Sequence, residues 1–250
     1  MFIDSHCHVI KEEYEDVDLV LSKIKDNIII NAGTNSKTNK EVLETLKYKN
    51  VYGVIGIHPE EVNNVKDIDY DLIIENINNP KIVGIGEIGL DYYWVKDNKD
   101  KQKEVFIKQI KIAKEYNKPI VIHSRDAIND TYEILKEYGK DMKIVMHCYS
   151  GSVEMAHKFL DLGIYFGIGG VITFKNSKQL KEVVEMLPME RIILETDSPY
   201  LTPEPYRGKK NDPTNIPFIA SKIAEIKGLT KEEVIEITTS NTRRLFDLDI

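Results

Sequence analysis

The sequence predicts an α/β protein, a single-domain (β/α)8 TIM barrel spanning residues 1–250. Three observations carry that prediction. A length of 250 residues is typical of one such barrel. Eight short apolar or β-branched runs, bounded by turn residues, recur every 21 to 38 residues. Between them lie stretches with apolar residues at helical spacing.

The strand-like runs cover 2–8, 28–31, 51–58, 81–87, 119–123, 143–147, 164–169 and 191–197. The intervening helical stripes include Val105, Phe106, Gln109, Ile112 and Ala113 in one segment, and Met155, Ala156, Phe159 and Leu160 in another. Alternation of strand and helix implies a parallel sheet. Eight units in this length favour closure over an open doubly wound sheet, and no G-x-G-x-x-G phosphate loop follows the first strand. A Pro- and Gly-containing loop, 198–217, follows the eighth strand, and helices over 218–227 and 231–246 complete the outer ring. The longest connection, 89–100, carries Tyr92, Tyr93 and Trp94 and belongs on the active face of a barrel. No linker or shift in composition marks a second domain.

Hydrophobic residues at 42% and charged residues at 30% are ordinary for a folded domain. No apolar run reaches the roughly 20 residues a membrane span needs. The first strand-like run begins at Phe2, where a leader would stand, so the expectation is a cytoplasmic protein without membrane contact. Two cysteines, Cys7 and Cys148, each beside a candidate ligand histidine, argue against a disulfide framework. A net charge of -7 excludes coating of nucleic acid by a broad positive field, so any phosphate-bearing substrate needs a local basic site. The Lys-rich, Glu-interspersed stretch 99–118 reads as solvated barrel exterior.

Of six histidines, five (His6, His8, His58, His123 and His147) fall at the carboxyl ends of predicted strands, and His157 lies in a helix. Glu87 and Asp197 end the fourth and eighth strands. The carboxyl-terminal rim is where barrel active sites are assembled. Residues two apart on a strand share a face, so His6 and His8 both enter the barrel mouth while Cys7 points into the helix layer. Each of these side chains alone has a plainer reading, as a core histidine or a carboxylate capping a helix. Together they do not, because burying several imidazoles and carboxylates without a cation costs several kcal/mol per unpaired charge. A bound metal accounts for all of them at once.

The motifs DSHCH (4–8), GIHPE (56–60), GEIGLDYY (86–93), HSRDA (123–127), HCYSG (147–151), ETDSPYL (195–201) and RGKKNDP (207–213) closely resemble the TatD family of metal-dependent deoxyribonucleases. They occur in family order over nearly the whole chain. The resemblance implies a dinuclear site of the amidohydrolase type. Glu87 would bridge two divalent ions, with His6, His8 and Asp197 completing one site and His123 with His147 the other. Tyr149 and Asp212 stand where the family often has Phe and Glu, and neither is an expected ligand. Such a ligand set accepts Zn, Mg, Mn or Co.

Two ions about 3.5 to 4 Å apart suit phosphodiester hydrolysis. In this reading a metal-activated hydroxide attacks phosphorus and Asp197 takes the water's proton. Glu195 is a partner of the ligand shell, or forms a salt bridge in the barrel interior. By composition the loop of Arg207, Gly208, Lys209 and Asn211 reads as solvated, and the resemblance makes it a phosphate clamp. Arg125 adds a second phosphate contact, or pairs with Asp126 or holds structure, and His58 contacts substrate or braces a ligand. The three aromatics after strand four stack bases or pack over the rim. The expected partner is a nucleic-acid substrate, DNA or in second place RNA, cleaved as an exonuclease on single strands. No obligate protein partner is implied. Two other readings stay open: hydrolysis of a small amide, lactone or phosphoester, and a non-catalytic binding protein stabilised by metal.

Overall fold

The computed structural model describes residues 1–249. Its eight strands are β1 (Ile3–Cys7), β2 (Ile28–Ala32), β3 (Val51–Ile55), β4 (Ile82–Asp91), β5 (Ile120–Arg125), β6 (Ile144–Met146), β7 (Tyr165–Ile168) and β8 (Ile192–Leu194). They form one parallel sheet in sequence order. Helices α1 (Val17–Lys23), α2 (Ser36–Thr45), α3 (Asp67–Asn76), α4 (Lys99–Glu115), α5 (Ile128–Tyr138), α6 (Val153–Asp161) and α7 (Lys178–Met186) connect successive strands. Two more, α8 (Ile216–Lys227) and α9 (Lys231–Phe246), follow β8. This is the (β/α)8 barrel the spacing predicts.

Alternation along each strand builds two apolar layers. Ile30, Val54, Val83, Val121, Val145 and Ile193 fill the barrel, where Leu245 and Phe246 from the end of α9 pack with them. Their neighbours Ile29, Ile55, Ile82 and Ile120 point outward against the helices, with Cys7 in the same outer layer. Full burial of each such side chain contributes about 1.5–3 kcal/mol. Among the described residues no helix is long and apolar enough to cross a membrane.

The sheet closes between its first and last strands through the segment just beyond β8. Asp197 N donates to His6 O at 3.0 Å and His8 N donates to Ser198 O at 2.7 Å. Below them the buried Asp4 carboxylate accepts from Thr196 N at 2.9 Å and Thr196 Oγ1 at 2.5 Å. The seam is thus made by the residues that carry His6, His8 and Asp197.

Three strand ends differ from the sequence expectation by three residues or more. β3 stops at Ile55, and His58 instead caps the turn Pro59–Asn64 that follows it. β8 stops at Leu194, because Asp197 adopts a left-handed backbone (φ 53°) that a strand cannot hold. β4 continues four residues beyond Glu87, through Gly89, where the sequence places the start of the connection. At Gly89 (φ 143°) a Cβ would lie 2.0 Å from His123 O, so only glycine lets β4 and β5 stay paired there. The extension carries the strand face on to Asp91.

Candidate active site

The carboxyl ends of the strands open into a cavity of about 920 Å3 lined by His8, His58, Glu87, His123, His147 and Asp197. Glu87 stands at its base and divides the imidazoles between its two oxygens. Oε2 faces His6 Nε2 at 3.4 Å and His8 Nε2 at 3.7 Å. Oε1 faces His123 Nδ1 at 2.7 Å, His58 Nε2 at 3.6 Å and His147 Nε2 at 3.8 Å. Asp197 Oδ1 closes the first set, 3.4 Å from His8 Nε2 and 3.8 Å from His6 Nε2, and also lies 3.5 Å from His147 Nε2. His6 stacks on His147 with ring centroids 3.7 Å apart.

These donors converge as metal ligands do. The Nε2 atoms of His6 and His8 are 3.2 Å apart, and His6, His8 and Glu87 each offer an atom within 4.8 Å of the others. The same holds for His6, His147 and Asp197, and for His58, Glu87 and His123. His8 Nδ1 donates to Ala32 O at 2.9 Å, so in the neutral ring the lone pair sits on Nε2, which faces the carboxylates. The donor set fits divalent cations of the Zn, Mn, Co or Mg kind.

The protonation balance of the protein alone shows why a cation belongs here. Burial opposes ionisation of Glu87, yet His147 and His58 outweigh it and hold the carboxyl well below its usual range. Burial likewise opposes a charged Asp197, and His147 and His8 reverse the effect. Burial disfavours the imidazolium of His147, but Glu195, Asp197 and Glu87 push its pKa up to about 10. His123 is also held up against burial, by Asp91 and Glu87, to about 9. His6 moves the other way, lowered by burial and by His147. Protons on imidazoles here offset carboxylate charge that divalent cations can offset instead.

Carboxylates behind the ring orient two of the histidines. Glu195 Oε1 is 3.1 Å from His147 Nδ1, an ion-pair distance without hydrogen-bond alignment, and it accepts from Cys148 N at 2.5 Å. Its carboxylate fits against β7 because residue 167 is glycine, where a Cβ would lie 2.2 Å from Glu195 Oε2. Asp91 Oδ2 lies 2.9 Å from His123 Nε2. His58 Nδ1 accepts from Glu60 N at 3.3 Å, so the neutral ring carries its proton on Nε2, toward Glu87.

Of the residues singled out in the sequence, His6, His8, His58, Glu87, His123, His147, Glu195 and Asp197 come together. Arg125 lines the cavity, with its guanidinium 4.0 Å from the Tyr93 ring centre and 5.4 Å from that of Trp94. The clamp loop does not reach the cavity lining. Arg207 lies 4.1 Å over Phe174, and Lys209 5.4 Å from the ring centre of Tyr206. Asn211 is 0% exposed, which corrects its expected substrate contact. Its amide donates to Thr196 O and Tyr200 O and accepts from Asp212 N and Asn215 Nδ2, so every polar atom holds the loop in place. Tyr92 is also turned in, donating to Asp130 Oδ2 at 2.7 Å, whereas Tyr93 and Trp94 are 44% and 60% exposed. Sequence reasoning missed Asp91 and Asp4. Asp91 lies on the Glu87 face of β4, and its signal was that period of two.

A parallel barrel with imidazoles and carboxylates gathered at the carboxyl ends of its strands has the architecture of a metal-dependent barrel enzyme. Residues 3–247 match the family model described as TatD related DNase. The chain belongs to the TatD family of metal-dependent hydrolases. It is 42% identical to the uncharacterized metal-dependent hydrolase YabD of Bacillus subtilis, over 100% of both chains. It is 39% identical to the uncharacterized metal-dependent hydrolase YcfH of Escherichia coli, over 99% of this chain and 96% of the other. Among solved structures, YjjV, a TatD homolog from Escherichia coli, superposes with a TM-score of 0.90 at 26% identity, covering 99% of this chain and 98% of its own.

Proposed function

We propose that this hydrolase cleaves phosphodiester bonds of nucleic acid, acting from the ends of single-stranded DNA, with RNA as the second candidate substrate. The observation that carries the reading is the division of imidazoles between the two oxygens of Glu87. On this reading Glu87 would be shared between two divalent cations, one that His6, His8 and Asp197 would hold and one that His123 and His147 would hold. Divalent ions held there would supply Lewis acidity, making water more acidic and offsetting charge on the attacking and leaving oxygens.

The chain's own groups supply the rest. Asp197, ionised and open to the cavity, accepts the proton of the attacking water. His58 Nε2–H donates to a non-bridging phosphate oxygen, and Arg125 meets the neighbouring phosphate. Trp94 offers a stacking face, worth about 1–3 kcal/mol per base, beside that arginine. Glu195 keeps the His147 ring turned to the centre.

Metal analysis with end-labelled single-stranded DNA, duplex DNA and RNA under Zn, Mg, Mn or Co tests this directly. The expected result is two ions per chain and stepwise shortening of single-stranded DNA. Turnover confined to a panel of small amides and lactones would replace the nucleic-acid reading. Full metal content with no hydrolysis of any of these would leave a binding protein.

A further inference from the structure

We propose that Asp91 is a positioning residue that fixes the proton of His123 on Nε2, leaving Nδ1 free for the cation, and ties that ring to the Tyr93–Trp94 loop. The inference rests on the reading of His123 as a ligand and goes beyond it by assigning a residue outside the ligand set.

His123 presents Nδ1 to Glu87 Oε1 at 2.7 Å and Nε2 to Asp91 Oδ2 at 2.9 Å. An imidazole that binds a cation through Nδ1 must carry its remaining proton on Nε2. An ionised carboxylate only accepts hydrogen bonds, so Asp91 favours that tautomer and opposes the one with an Nε2 lone pair. The other oxygen, Oδ1, accepts from Tyr93 N at 2.9 Å and Trp94 N at 2.8 Å. One fully buried carboxylate therefore sets both the ring and the start of the aromatic loop at the cavity.

The main chain that carries this carboxylate is itself held on both sides. Gln102, on α4 and fully buried, accepts from Asp91 N and donates to Asp91 O, each at 2.8 Å. The comparable pair on the opposite side, Glu195 with His147 Nδ1, lacks hydrogen-bond alignment. Asp91 makes the tighter of the two contacts.

Asp91→Asn tests the idea with almost no change in shape. Its amide oxygen still accepts from the loop, while its NH2 donates to His123 Nε2 and drives the proton to Nδ1. Titration with Zn2+ should show one of two ions bound about 10- to 100-fold more weakly, the other unchanged. kcat should fall with little change in KM, because the loop keeps its anchor, whereas Asp91→Ala should move both. Wild-type affinity at both sites in Asp91→Asn would overturn the proposal. Should that variant not fold, 15N-histidine NMR of the Zn-loaded wild type decides: a His123 proton on Nε2 supports the proposal and one on Nδ1 overturns it. Wild-type protein in which His123 shows no response to Zn2+ would overturn both the ligand reading and the proposal. Two ions in the wild type with an indifferent Asp91→Asn would overturn the proposal alone.

Discussion

The strand-end centre and the loop rim above it are built on opposite terms. At the centre, imidazoles and carboxylates face one another in a buried space, each at the end of a strand or a few residues beyond one. At the rim, Glu12, Glu13, Glu60 and Glu61 line the cavity together with Arg125 and Trp94, all on connecting segments or at a strand's last residue. Buried charges feel each other strongly and screen little, while exposed ones are screened within about 8–10 Å. Substitutions at the centre should therefore act as switches, and those at the rim as graded adjustments.

The sharpest break is Asp197→Asn. It keeps the shape of the side chain but removes the base and one carboxylate charge from the ring of histidines. Turnover should fall about 10^2- to 10^4-fold. The fold should persist, because the seam hydrogen bond at this residue is made by its backbone N–H. Steady-state kinetics beside a thermal melt measure both, and wild-type turnover would remove the assigned role.

Metal removal probes the same centre through pH. His123 at about 9 and His147 at about 10 stand above an unfolded value of 6.5, so their contribution to stability is complete below that value and lost as pH rises through 9 and 10. Asp4, which burial raises to about 8 despite its Thr196 hydrogen bonds, adds to the same alkaline decline from its unfolded value of 3.8 upward. Glu87 and Asp197 act in the other direction, their lowered values making stability fall as acid protonates them. Chelator-treated protein should lose Tm steadily between pH 6.5 and 10. Protein saturated with Zn2+ should not, because the cation replaces those protons. Parallel melting curves with and without metal would contradict this account of the centre.

Legibility in the sequence follows the same division. Strand-end histidines are readable because a parallel barrel sends consecutive strand ends to one rim, so His6, His58, His123 and His147 need no fine geometry to be gathered. Glu87 was readable for the same reason, although its strand runs on to Asp91. The rim was not, because loop conformation depends on contacts that no period records. Asn211, in a stretch rich in charge, turns inward to bind carbonyls from 196 and 200. Tyr92 and Tyr93 are adjacent and alike in chemistry, yet one is packed against Asp130 and the other is exposed.

At the rim, Arg125→Ala should raise KM for single-stranded DNA about three- to tenfold with kcat nearly kept, since one exposed charge-assisted contact is worth about 1 kcal/mol once screened. The smallest effect belongs to the loop that the family resemblance made a clamp. Arg207 and Lys209 lie outside the cavity lining, against Phe174 and Tyr206, so only a chain that extends beyond the cavity can meet them. Arg207→Ala with Lys209→Ala should leave cleavage of dinucleotides unchanged. For long single strands it should flatten the dependence of log affinity on log salt by about 0.7 for each phosphate no longer neutralised. An unchanged slope would confine recognition to the cavity, and a large fall in dinucleotide cleavage would mean that the loop closes over the centre.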